Sequence, residues 1–344
     1  MERISRYRQE STLCLRLGDL LQCPMPRYLA LHESGELAKR AQEAVNRLAE
    51  CSLCPRECGV DRLQGETGHC LIGRFARVSS YAPHFGEEAP LVGNNGSGTL
   101  FFSGCNLLCV FCQNHDISHL PDGPERTPEQ LARIMISLQE SGCHNINFVT
   151  PTHVTAQILE ALPHAVEMGL SLPLVYNCGG YESLETLALL DGIVDIFMPD
   201  IKFSASEPSQ TYCRAKDYPE RTRVALKEMF RQVGDLHLDD RGIAVSGLLV
   251  RHLVMPEDQA GTHDWMGFLA QEISPGTYVN IMDQYRPCGR AAASSQWPEL
   301  NRAITPEEYQ AALAAAKEAG ITRLDNRGDR QALFLLKHLL DWDT

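Results

Sequence analysis

Three cysteines fall within eight residues: Cys105, Cys109 and Cys112, in the run Gly104-Cys105-Asn106-Leu107-Leu108-Cys109-Val110-Phe111-Cys112-Gln113-Asn114. Thiolates spaced C-x3-C-x2-C can converge on one metal centre and are ill suited to a structural disulfide frame. Runs that fully ligate an iron–sulfur cubane supply four cysteines. Here Asn114 and His115 follow, and the next cysteine is Cys143. Three sulfurs on a four-iron cluster leave one iron open, and an open iron can bind a substrate. Spacing alone also allows a zinc site or free thiols.

A second cluster, Cys51, Cys54, Cys58 and Cys70, is spaced C-x2-C-x3-C-x11-C, with Gly65 and Gly68 giving the loop room to fold back. Four thiolates would close a coordination shell, which points to structural zinc or an auxiliary iron–sulfur cluster. The spacing does not decide between them, and the bland alternative is reduced cysteines packed as small hydrophobes. Cys14, Cys23, Cys143, Cys213 and Cys288 read as stray free thiols.

The elements that must position these groups follow from periodicity. Leu37, Ala41, Ala44, Val45 and Leu48 recur at helical spacing within 35–50, so an amphipathic helix leads into the four-cysteine segment. Residues 1–34 show no clear periodicity. The turn-rich Gly93–Gly98 opens the main domain. The apolar run Thr99–Phe102 then reads as a buried strand that delivers the chain into the three-cysteine loop.

After it, strands and helices alternate. Thr127-Pro128-Glu129-Gln130 and Thr305-Pro306-Glu307-Glu308 are capping boxes with proline at the first helical position. Strands are expected at Asn145–Val149, Leu174–Tyr176, Ile193–Met198, Leu248–Val254, Tyr278–Met282 and Ile321–Leu324. Helices are expected from Thr155 with a break at Pro163, at Leu184–Leu190, Arg223–Gln232 and Trp265–Glu272, from Pro306 to Ala319, and at Asp329–Leu340.

Such alternation implies α/β organisation with a parallel sheet. About six units fit between Thr99 and Leu300, fewer than the eight of a closed barrel. The expected fold is a partial (β/α)6 TIM-like barrel with an N-terminal helical, cysteine-rich extension. Its divisions would be an extension over 1–50, a metal-binding segment over 51–92, the barrel over 93–300 and a cap over 301–344. Polar motifs gather just past the strand ends, at the mouth of such a barrel: Thr150-Pro151-Thr152-His153, Asn177-Cys178-Gly179-Gly180, Pro199-Asp200-Ile201-Lys202 and Gln284-Tyr285-Arg286-Pro287.

The chain has 344 residues, 44% hydrophobic and 22% charged, with 31 Lys and Arg against 44 Asp and Glu. The resulting net charge of −13 disfavours nucleic acid or an anionic membrane as the main partner. No apolar run is long enough to span a bilayer, and Met1 to Arg16 carries charges without an apolar signal core. A cytoplasmic location is expected, where thirteen cysteines stay reduced unless they bind metal.

Taken together, the motifs resemble the activating-enzyme branch of the radical S-adenosylmethionine (SAM) superfamily, relatives of pyruvate formate-lyase activase, and most closely the PflX-type subgroup. The resemblance runs from about Leu37 onward. It rests on Cys51-Ser52-Leu53-Cys54-Pro55-Arg56, the Cys105/Cys109/Cys112 loop, Phe148–His153, Tyr176–Tyr181, Pro199–Lys202 and Asn280–Pro287. It implies that Cys105, Cys109 and Cys112 hold a [4Fe-4S] cluster whose open iron is chelated by the amino and carboxylate groups of SAM.

Phe111, Asn114, Thr150, Thr152, Asn177, Asp200, Lys202 and Arg251 form the implied cofactor-binding set. Lys202 would pair with the SAM carboxylate, Asn177 and Arg251 would contact ribose or carboxylate, and Phe111 would pack on adenine. Where relatives carry Gly-Gly-Glu-Pro at the SAM amino group, this chain has Thr150–Thr152, so backbone carbonyls or threonine hydroxyls would accept instead. The implied activity is reductive cleavage of SAM to a 5′-deoxyadenosyl radical that abstracts hydrogen from an unknown substrate, a glycyl-radical enzyme being one option. It calls for an external low-potential donor, flavodoxin or ferredoxin.

Other readings stay open on the residues alone. Asp200 and Lys202 also fit a structural ion pair, Arg251 a structural charge, and His144, His153 and His252 hydrogen-bonded structural roles. As a whole, the protein is alternatively a two-centre iron–sulfur electron carrier or a zinc-binding interaction protein.

Overall fold

The structure, a computed structural model, describes residues 25–325 except 293. Cys14, Cys23, the first 24 residues of the expected extension and the helix expected at Asp329–Leu340 lie outside the described residues. No helix among the described residues is long and apolar enough to cross a membrane.

The fold is α/β, and among the described residues it is built on a ten-stranded sheet that is mostly parallel. Its strands are β1 (Ala76–His84), β2 (Ser97–Phe102), β3 (Glu125–Arg126), β4 (Ile146–Val149), β5 (Leu174–Cys178), β6 (Ile196–Ile201), β7 (His237–Leu238), β8 (Ala244–Leu253), β9 (Tyr278–Met282) and β10 (Arg323–Leu324). The spatial order is β10-β9-β8-β6-β5-β4-β2-β1-β3, with β7 alongside β8. Every neighbouring pair from β2 to β10 on this path is parallel. At the other edge, β1 runs antiparallel to both β2 and β3. In a parallel run all C-terminal strand ends share one edge of the sheet, where α/β folds gather their ligand-binding loops.

The strands bury both faces, as parallel strands do. All five residues of β5 are buried. Tyr176, Phe197, Leu248 and Val250 join the main core. Their neighbours Val175, Met198 and Leu249 form a separate apolar cluster with Leu91, Ile196, Leu236 and Ala244. Side chains alternate faces along a strand, so each face has its own apolar layer.

Both capping boxes form with reciprocal hydrogen bonds, starting the helices Pro128–Glu140 and Pro306–Ala319. Several boundaries differ from expectation. Pro163 does not break its helix, which runs through from Thr155 to Glu167. The missing N–H costs one hydrogen bond, and burial of Ile158, Leu159, Ala161, Leu162 and Ala165 offsets it. The strand expected at Ile193–Met198 begins at Ile196, because Ile193 and Val194 close a turn onto the Leu190 carbonyl. The helix Tyr28–Glu33, strand β1 and the helix Ser206–Cys213 lacked sufficient periodicity to be anticipated.

Candidate functional site

The three-cysteine loop leaves the C-terminal end of β2. Two left-handed residues fold it, Gly104 (φ +79°) and Leu108 (φ +51°). Glycine is required at 104 on a second ground: an added Cβ would lie 2.4 Å from the Cys70 carbonyl oxygen. The loop is tied down from outside by Val110 N–H to the Tyr212 carbonyl (2.9 Å) and by Ala291 N–H to the Val110 carbonyl (2.9 Å). Sulfur-directed donors are already in place: Leu107 N–H to Cys105 Sγ (3.3 Å) and Ser118 Oγ–H to Cys112 Sγ (3.2 Å).

Cys105, Cys109 and Cys112 line one solvent-open cavity of about 410 Å³. The other walls come from successive strand ends: Thr150 after β4, Asn177 and Gly179 from β5, Asp200 and Lys202 from β6, Arg251 from β8, and Met282 and Gln284 from β9. Phe111 and Asn114 also line it. Register explains part of the grouping, since Asp200 pairs with Arg251 and Arg251 with Asn280 across three adjacent strands.

Burial pushes the Cys105 thiol up to about 12 and raises Cys112 as well. Cys109 is held well above the ordinary thiol value, first by its hydrogen bond with Cys213 and then by burial. Such thiols ionise readily only when a metal supplies compensating charge. Lys202 Nζ stands 3.0 Å from Asp200 Oδ2. Burial opposes the Lys202 charge, but the Asp200 carboxylate and then Cys109 outweigh it and hold the ammonium well above the usual lysine range. The second Asp200 oxygen, Oδ1, is buried with no hydrogen-bond partner among the described residues. Thr150 adopts φ +58°, an unusual state for a β-branched residue, with its N–H bonded to the Asn177 carbonyl (2.9 Å).

Not every expected residue faces the cavity. Thr152 is fully buried and donates its hydroxyl to Glu182 Oε1 (2.6 Å), so that hydroxyl is already committed. Arg251 lines the cavity but is paired with both Glu87 and Glu88, the latter at 2.8 Å. The Phe111 ring packs edge-on against Phe203 and tilted against Tyr285, at 5.8 and 6.3 Å between centroids. Tyr285 gives its hydroxyl to the Leu300 carbonyl. The histidines sit in structural hydrogen bonds: His153 Nε2 with the Ser103 carbonyl, His252 Nε2 with Thr262 Oγ1, and His144 Nε2 accepting from Asn95 N–H.

Other contacts have no sequence signal. Cys213, read as a stray thiol, lies with its Sγ 3.1 Å from Cys109 Sγ. His84 and Glu87, from the end of β1 and beyond, also line the cavity. Glu182 is a buried carboxyl that burial pushes up to about 7, against hydrogen bonds from Thr152, Tyr176 and Cys178.

The second cysteine cluster forms a pocket of its own. Cys51, Cys54, Cys58 and Cys70 line it together, with Arg62, His69, His153 and Asn106 in its wall. Asn106 also lines the larger cavity, so the two spaces share the residue next to Cys105. Arg56 reinforces the junction, donating to the Asn106 carbonyl (2.8 Å) and to the carbonyls of Cys213 and Arg214.

Comparison with known proteins agrees with this geometry. Residues 99–246, from β2 into β8, match the family model of the radical SAM superfamily. An uncharacterized protein of Methanocaldococcus jannaschii is 31% identical over 292 residues, 81% of this chain and 78% of that one. A second uncharacterized protein of the same organism is 28% identical over 172 residues, 45% of this chain and half of that one. Among solved structures, the cobalamin-dependent S-adenosylmethionine radical enzyme OxsB with aqua-cobalamin bound overlaps 65% of this chain and 31% of its own. That overlap, at a TM-score of 0.35 and 12% identity, is too loose to transfer anything. On the family match and the extended likeness to the first relative, the chain belongs to the radical SAM superfamily, which implies a [4Fe-4S] cluster and SAM as cofactors.

Proposed function

We propose that the protein is a radical SAM enzyme of the PflX-type, activating-enzyme-like subgroup, with its cluster on Cys105, Cys109 and Cys112. The single observation that carries this reading is the convergence of those three thiols with the ends of β4, β5, β6, β8 and β9 on one cavity. The residues fit the implied group. Three desolvated thiols need a metal to ionise, the half-buried Lys202 ammonium suits a carboxylate, and the Asp200 Oδ1 left unpartnered among the described residues can accept from an amino or hydroxyl group. When bound, the reduced cluster and SAM supply one-electron cleavage of the S–C5′ bond, yielding methionine and a 5′-deoxyadenosyl radical that takes hydrogen from a substrate.

The chain's own groups position and shield. Lys202 would pair with the SAM carboxylate, and Asn177 and Asp200 would contact its polar groups. Phe111, braced by Phe203 and Tyr285, would form the adenine-side wall. At the Thr150 position the strained backbone, rather than the Thr152 hydroxyl, would meet the amino group. Arg251 would act through its Glu87 and Glu88 partners, setting the charge of the cavity wall. Asn114 would stand at the rim.

The parallel strands would curve into a partial barrel over about 93–300, with the helical extension, the cysteine segment over 51–92 and the cap over 301–344 around it. A low-potential flavodoxin or ferredoxin would deliver the electron in a cytoplasmic setting. A glycyl-radical protein is the substrate class suggested by the subgroup likeness. We also assign a second metal centre to Cys51, Cys54, Cys58 and Cys70.

Anaerobic reconstitution followed by electron paramagnetic resonance (EPR) of the reduced protein tests the proposal. SAM should shift the spectrum, and reduction should release 5′-deoxyadenosine. A spectrum indifferent to SAM would sink it.

A further inference from the structure

We propose that Cys213 tunes the redox potential of a cluster held by Cys105, Cys109 and Cys112, by donating its S–H to the Cys109 sulfur. This rests on the cluster assignment above and adds a residue from outside the three-cysteine motif. Cys213 is buried, and its Sγ lies 3.1 Å from Cys109 Sγ, across 104 residues of chain. A Cys109 bound to iron is a thiolate with no proton to give, so Cys213 must be the donor. The thiol is held in place from two directions. Cys213 ends the helix Ser206–Cys213, and Arg214 after it turns left-handed at φ +53°. The Tyr212 carbonyl accepts from Val110 N–H (2.9 Å), and Arg56 Nη2 donates to the Cys213 carbonyl (2.7 Å).

The second ground is a set that Cys213 completes. Leu107 N–H donates to Cys105 Sγ (3.3 Å) and Ser118 Oγ–H to Cys112 Sγ (3.2 Å), from the loop itself and from the short helix His115–Ser118 after it. Among the described residues, Cys109 Sγ has no hydrogen-bonded partner besides Cys213. With Cys213 as donor, each of the three sulfurs has at least one. Adding an electron to a cluster makes its sulfurs more negative, so a donor stabilises the reduced state and raises the potential. The bland alternative is a thiol that only fills space beside Cys109, and such a thiol would leave the potential where it is.

The test is a redox titration of the anaerobically reconstituted full chain without SAM, followed by EPR. Cys213→Ala should keep its iron while its midpoint falls. At the wild-type midpoint, the ratio of oxidised to reduced cluster should rise about threefold to tenfold, a shift of about 30–60 mV. Cys213→Ser restores a donor and should return the midpoint toward wild type. An unchanged midpoint in the alanine chain, or a fall that serine does not reverse, would overturn the proposal. Should the alanine chain take up no iron, the serine chain decides. A loaded cluster with a near-wild-type midpoint supports the donor, whereas loss of iron there too would refute it. A wild-type spectrum that shifts with SAM, together with an unmoved alanine midpoint, would reject this inference alone. A spectrum indifferent to SAM, with the fall and its rescue intact, would reject the proposed function and leave the role of Cys213 standing.

Discussion

Cys105, Cys109 and Cys112 depend on the whole sheet, whereas Cys51, Cys54, Cys58 and Cys70 all come from a single loop that is then braced from outside. The first three hang from the end of β2 and face a cavity whose other walls are the ends of β4, β5, β6, β8 and β9. The other four lie between the helix Glu36–Asn46 and β1, where the one regular element is the short turn Arg62–Gln64. Local backbone bonds hold them: Cys51 N–H to the Val60 carbonyl, Gly59 N–H to the Cys51 carbonyl and Arg62 N–H to the Leu48 carbonyl. A centre with all ligands supplied locally can be built from some twenty residues. One that leaves a position for an outside ligand needs walls brought from far along the chain.

The largest expected effect sharpens that contrast. Cys109→Ala should reduce 5′-deoxyadenosine release to background, while Cys54→Ser leaves release measurable, as followed by chromatography of anaerobic single-turnover mixtures. Equal, complete loss in both variants would make the two regions one functional unit.

Next in size is Gly104→Ala, which strikes the seam between them. The new Cβ would meet the Cys70 carbonyl at 2.4 Å on a backbone with φ +79°. A loss of about 3 kcal/mol in urea unfolding is expected, and an unchanged midpoint would show that the loops do not lock together.

Lys202→Met should weaken SAM binding about tenfold to a hundredfold, or about 1.4–2.7 kcal/mol, with iron content preserved. EPR titration with SAM reads both, and unaltered affinity would return Lys202 to a purely structural pairing with Asp200.

The smallest effect concerns Glu182, buried against Thr152 and Tyr176. Its folded-state pKa of about 7 lies above the ordinary 4.5. The folded chain therefore binds more protons than the unfolded one across that interval. The stability contribution is full below about pH 4.5 and is lost as pH rises through 7. Glu182→Gln should flatten the fall of about 1 kcal/mol expected between about pH 6 and pH 8, as read from denaturation midpoints. A wild type with no slope there would place an ionised carboxylate at Glu182 throughout.

Local chemistry was readable wherever its partners were near in sequence. Thr127 and Gln130, like Thr305 and Glu308, are three residues apart, and both capping boxes form as their side chains require. The strand Tyr278–Met282 coincides with its apolar run. Pro163 misled because its local cost is visible in sequence, while the packing that offsets it is not. Thr152 looked like a strand-end ligand until a buried glutamate thirty residues away claimed its hydroxyl. Arg251 likewise meets Glu87 and Glu88 across more than 160 residues.

By itself the sequence determined the two cysteine spacings, the strand–helix alternation and the placement of polar motifs just beyond apolar runs. Each is a one-dimensional pattern fixed by the reach of a few peptide units. Only the tertiary structure decided that Cys213 sits against Cys109, that Asn106 borders both pockets, and that Arg62 is buried against Cys51 with no carboxylate pair among the described residues. The parallel register is the reason: it aligns strand ends that lie far apart in the chain, and no local preference encodes which side chains then meet.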